Sequence, residues 1–117
     1  MAKVTRGSDA FDADRYKYDF RLCSSKDGWA QLDTRQDASY YGNWINPITL
    51  KLFSYCEGDT TLTECEDETD FVKTVRECVD WHKERNYFIG IDDMCRGPIT
   101  EAFRRMNLGE YLHSPVV

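Results

Sequence analysis

Seven carboxylates, Glu57, Asp59, Glu64, Glu66, Asp67, Glu68 and Asp70, fall between Leu52 and Val72 with no Lys or Arg among them. Such a cluster either faces water as an inert surface or presents a field that a basic partner can use. Residues two apart on an extended chain stand about 6.6–6.8 Å apart on one face, near the spacing of successive phosphates along a nucleic-acid strand. Glu64 and Glu66 can therefore imitate a short piece of nucleic-acid backbone, with Glu68 and Asp70 extending the row. Local roles compete for these groups. Glu68 and Asp70 oppose the positive end of a helix that starts there, and Glu57 and Asp59 flank Gly58 as turn residues. Glu64, Glu66 and Asp67 are left without such a local reason.

Other residues of catalytic type are few. Asp92 and Asp93 directly follow the apolar run Phe88–Ile91, and the carboxyl end of a strand is where α/β enzymes often hold divalent ions. Adjacent strand residues point to opposite faces, so only one of the pair can serve a given site. Asp12-Ala-Asp14 is a weaker pair. Of the two histidines, His82 falls on the apolar side of a helical pattern, where an imidazole bonded to a carbonyl is expected, and His113 lies near the C-terminal end. Five cysteines, Cys23, Cys56, Cys65, Cys78 and Cys95, include no C-x-x-C pair, which predicts free and mostly buried thiols. A zinc set of Cys56, Cys65, Cys78 and His82 can be drawn, although the paired spacing of structural zinc sites is absent. The chain has no phosphate-binding glycine loop, no G-x-S-x-G and no H-E-x-x-H. No cofactor is expected.

The elements that must position these groups follow from periodicity. Residues 1–14 are polar and read as a loose leader before a single domain over 15–117. Tyr16, Tyr18, Phe20 and Leu22 alternate with charged residues as a strand with one wet face. Trp29–Asp33 returns as a second strand. The stretch Thr34–Pro47 mixes Tyr40, Tyr41 and Trp44 with Ser, Gly and Asn, and reads as an aromatic loop, because Gly42 and Pro47 discourage regular structure. Such loops supply ring area at low entropy cost, which makes Tyr40, Tyr41 and Trp44 candidate contact residues. Thr49–Cys56 has apolar groups on both faces, as a central strand covered on both sides does. Thr60–Cys65 follows as a fourth strand. Asp67 is a candidate N-cap for a helix to about Arg85, with Phe71, Val72, Val75, Cys78, Val79 and His82 on one stripe. Tyr87–Ile91 is a fifth strand, and Gly97-Pro98 opens a shorter helix with Ile99, Phe103 and Met106 on one face and Gly109 just past its end. The expected fold is α+β, a mainly antiparallel sheet of about five strands in the order β-β-β-β-α-β-α.

The 117 residues suit one core, and 21 acidic against 15 basic side chains leave a net charge of -6. Without a basic tract, direct binding to nucleic acid is disfavoured. No stretch approaches the roughly 20 apolar residues that cross a bilayer, and Met-Ala-Lys-Val-Thr-Arg lacks the core of a signal peptide, which predicts a cytoplasmic protein without membrane contact. In size, in the run Glu57 to Asp70 and in the stretch Tyr40-Tyr41-Gly42-Asn43-Trp44, the chain resembles the small acidic single-domain proteins encoded by phages and plasmids. Some of these disable host defence complexes by occupying their nucleic-acid channels. The resemblance implies a non-enzymatic inhibitor whose acidic surface, a nucleic-acid mimic, binds a basic, nucleic-acid-binding protein. Two other readings stand beside it: a small metal-dependent hydrolase or nuclease-like enzyme using Asp92, and a structural protein that self-associates through the third strand or the short helix.

Overall fold

The computed structural model describes residues 2–7, 28–35, 41–56, 59–92 and 97–112. Among these residues the fold is α+β: a six-stranded antiparallel sheet with two helices. The strands are β1 (Lys3–Arg6), β2 (Ala30–Thr34), β3 (Tyr41–Asn46), β4 (Lys51–Cys56), β5 (Asp59–Glu64) and β6 (Phe88–Asp92). Helix α1 (Glu68–Glu84) separates β5 from β6, helix α2 (Pro98–Arg105) follows β6, and a 3-10 turn spans Gly109–Tyr111. Across the sheet the order is β1-β5-β4-β3-β2-β6.

The alternation in β4 sets the two layers. Leu52 joins Ala30, Leu32, Ile45 and Ile91 on the face covered by the helices, where Phe71, Val75 and Val79 of α1 and Phe103 of α2 are fully buried. Phe53 points the other way and packs with Trp29, Trp44 and Leu62. Both faces of the third expected strand are therefore filled from within the domain, and so is the apolar side of α2.

The helix boundaries are set by local chemistry. The Asp67 side chain accepts from the Asp70 N–H at 2.8 Å, satisfying one of the amides that the first turn leaves unpaired. Both helices end at an asparagine in the left-handed region, Asn86 (φ 61°) and Asn107 (φ 59°). At each, the asparagine N–H and the following N–H turn back onto two of the last helical carbonyls: Asn86 and Tyr87 donate to Lys83 and His82, and Asn107 and Leu108 to Arg104 and Phe103. The stop of α2 is thus Asn107, two residues before the glycine expected to provide it.

Two strands differ from the sequence expectation. Residues 3–6, read as part of a loose leader, form the edge strand β1, paired with β5 from Lys3↔Glu64 to Arg6↔Thr61. Thr60 Oγ1 adds a hydrogen bond to the Gly7 carbonyl at 2.8 Å. Lys-Val-Thr-Arg is too short and too exposed to show an alternating pattern of its own; a partner already in register completes it. Residues 41–46, read as loop, form β3, paired through its whole length with β4. The expected strand over residues 16–22 lies outside the described residues. Among those described, no helix is long and apolar enough to cross a membrane.

Candidate functional site

The acidic run does not gather into one row. Asp59 begins β5 and Glu64 ends it, a separation of about 17 Å at the usual strand rise. Glu64 lies opposite Lys3 of β1 and opposite Lys51 of β4, with its Oε2 3.9 Å from Lys51 Nζ. Glu68 accepts from Arg105 Nη2 at 3.0 Å. Asp67 caps α1, and Asp70 Oδ2 accepts from the Glu66 N–H at 3.1 Å. The chain bends between Cys65 and Glu68, so even spacing along one extended face ends at the strand. Glu66 and Asp67 stand exposed at that bend, while Glu57 lies outside the described residues.

Of the aromatic candidates, Trp44 is only 5% exposed. It belongs to β3, points to the face opposite the helices and tilts against Phe53 with ring centroids 6.0 Å apart. Its ring lies over Gly42, where a Cβ would collide with Cη2 and Cζ3 of the indole. The glycine expected to break structure is instead what allows the ring to lie flat on the sheet, and Trp44 is a core residue rather than a partner contact. Tyr41 is the first residue of β3, and Tyr40 lies outside the described residues.

Asp92 ends β6 opposite Gln31 of β2, half-buried, with a buried Oδ1 that has no hydrogen-bond partner among the described residues. Asp93 lies outside the described residues. Among the described residues no group of three or more His, Cys, Asp or Glu is arranged to hold a metal. Of the zinc set drawn from sequence, Cys65 and Cys78 are free thiols. Cys65 contacts Thr74 Oγ1 at 3.7 Å, and burial pushes the Cys78 thiol up to about 11.

His82 is buried, and its Nδ1–H donates to the Cys78 carbonyl at 2.7 Å, the structural role expected of it. Because a carbonyl only accepts, the proton sits on Nδ1. Burial holds this imidazole below its ordinary 6.5; the bond to Cys78 partly offsets that, and the nearby Arg85 charge adds to the lowering. The unfolded chain therefore takes up the proton first as pH falls. His82 contributes its full stabilisation above about pH 6.5 and progressively less as the pH drops from there towards the folded-state value. Urea midpoints measured at about pH 7.5 and pH 5.5 should fall more for the wild-type protein than for His82→Gln, which has no ring to titrate.

The outward side of α1 carries the grouping that sequence reasoning passed over. Glu77, Asp80, Trp81 and Glu84 occupy positions i, i+3, i+4 and i+7, which share one side of the helix, with Glu77 and Glu84 about one turn before and after Trp81. All four are exposed, because the opposite stripe of Phe71, Val75, Val79 and His82 is buried. Trp81 is 42% exposed, whereas Trp29 and Trp44 are buried. Glu77 and Asp80 make no ion pair among the described residues, and Glu84 approaches Arg85 at 3.7 Å. The Arg85 guanidinium stacks on the Trp81 ring, with Cζ 3.8 Å from the centroid, and donates to the Trp81 carbonyl at 2.8 Å. Tyr87 tilts towards the same indole at 6.3 Å. Arg35 secures this end of the helix by donating to the Asn86 carbonyl at 2.8 Å. Trp, Tyr and Arg are the residue types that dominate protein contacts energetically. The available signal was an indole set among charged residues at helical spacing, off the apolar stripe. Searches of protein-family models, of curated proteins and of solved structures find no match to this chain.

Proposed function

We propose that this chain is a non-enzymatic interaction protein whose acidic surface binds a basic, nucleic-acid-binding protein, in the manner of the phage and plasmid proteins that disable host defence complexes. The supporting observation is the outward face of α1, where three carboxylates surround one exposed indole. Such a face draws a cationic surface in by its field and holds it through the ring. The acidic contact surface in this reading is centred on Glu77, Asp80 and Glu84. Asp59, Glu66 and Asp67 add to the overall field, and Glu64 and Glu68 serve the fold through Lys51 and Arg105.

The test is capture from a bacterial lysate cleared of nucleic acid, using the wild-type chain, a Glu77→Lys/Asp80→Lys/Glu84→Lys variant and a Glu101→Lys control on α2. Circular dichroism should show α1 intact in all three, since the replaced groups face water. The expected captured proteins are nucleic-acid-binding ones, released by added DNA and reduced at least about tenfold by the triple reversal, because like charges brought together cost several kcal/mol. Equal capture by the triple variant, or a captured set that ignores added DNA, would overturn the reading.

A further inference from the structure

Resting on that reading, we infer that the group received by the α1 face is an arginine side chain of the partner, and that Arg85 occupies its seat in the free protein. Trp81 already holds a guanidinium, at a ring distance of 3.8 Å, so the site's preference for this chemistry is built into the fold. Indole is the strongest aromatic receptor for a cation. A guanidinium suits it better than an ammonium, because it is planar, stacks and gives up its hydration more easily.

Arg85 is held by the ring and by one hydrogen bond to the Trp81 carbonyl at 2.8 Å, both at the exposed end of the helix. It lies one residue beyond the helix, its side chain is well exposed, and its ion pair with Glu84 is long at 3.7 Å. Exposed pairs of this kind contribute little. Glu77, one turn before Trp81, and Asp80, directly before it, add attraction for an incoming cation, since both are exposed and make no ion pair among the described residues. An arriving arginine therefore exchanges with Arg85 on the ring and gains carboxylates that Arg85, tethered at the helix end, does not use. Arg85 covers part of the indole until then, which reduces the apolar area open to water.

Hexa-arginine and hexa-lysine peptides carry equal charge and differ only in head group, so they separate the two layers of the argument. Binding at low salt is measured by calorimetry, and by tryptophan fluorescence where Trp81 is present; Trp81 is the exposed one of the three tryptophans. The wild-type chain should prefer hexa-arginine by about threefold, the size of one exposed cation–π contact. Trp81→Leu should bind both peptides equally. Arg85→Lys keeps the charge but loses the stacked plane, and should tighten hexa-arginine by about threefold. Failure of either peptide to bind would sink the acidic-surface reading and this inference with it. Equal binding of both peptides by the wild-type chain leaves that reading standing and overturns the arginine assignment. An arginine preference that Arg85→Lys does not strengthen places the incoming group elsewhere on the ring and overturns the exchange.

Discussion

Gly42→Ala should destabilise the domain by about 2–3 kcal/mol, the upper end of what an extra carbon costs in a filled core. The position looks harmless in sequence, a glycine between Tyr41 and Asn43. In the fold its missing side chain is the floor on which the Trp44 ring lies, and a Cβ there would overlap the far edge of that indole. The ring cannot retreat, because it is buried and bounded by Phe53 on β4. It must leave its packed position or push the strand. If this is the cause, the cost should nearly vanish in a Trp44→Leu background, where the overlapping atoms are gone. Urea unfolding of the four chains in the cycle measures the coupling directly. A Gly42→Ala cost that persists with leucine at position 44 would point to the backbone of β3 instead.

Removing residues 1–7 should cost about 2–3 kcal/mol, from a few ladder hydrogen bonds at about 1 kcal/mol each less the ordering entropy recovered. It should also promote self-association. This edge strand covers the outer side of β5, where Leu62 and Thr60 are buried and Thr60 hydrogen-bonds to the Gly7 carbonyl. Without it, Thr60-Thr61-Leu62-Thr63 becomes an open, uncharged and β-branched edge, the kind that pairs with other chains. The present edge is guarded, because β1 itself presents Lys3 and Arg6. Light scattering of the shortened chain should therefore rise with concentration while the wild-type signal stays flat. Truncation that leaves both the urea midpoint and the scattering unchanged would show that β1 contributes nothing to the sheet.

The two cases show where sequence reasoning reached and where it stopped. Strands β2, β4, β5 and β6 and both helices were legible, because each carries its own period and its own end signals. Asp67 with Asp70 starts α1 through bonds spanning three and four residues, and the buried stripe from Phe71 to His82 repeats at the helical interval. The double-sided character of Thr49–Cys56 was legible for the same reason. Strands β1 and β3 were not. Lys3–Arg6 has no pattern of its own and becomes a strand because β5 offers it a ladder, and the glycine of β3 serves a ring two residues away.

The candidate site divides in the same manner. The composition by itself determined that the protein is acidic and that one domain with an aromatic-rich core was to be expected, and the periodicity determined which stripe of α1 would be buried. Only the tertiary structure decided which carboxylates are engaged within the fold and which stay exposed. Sheet register sets Glu64 between Lys3 and Lys51, residues 61 and 13 positions away, and the packing of α2 brings Arg105 to Glu68. It also decided that Trp44 is core and Trp81 surface, since an indole's hydrophobicity does not say which side of its element the rest of the chain will cover. Local bonds are written within a few residues and can be read there. Pairing and burial depend on groups that meet only after the chain has closed on itself.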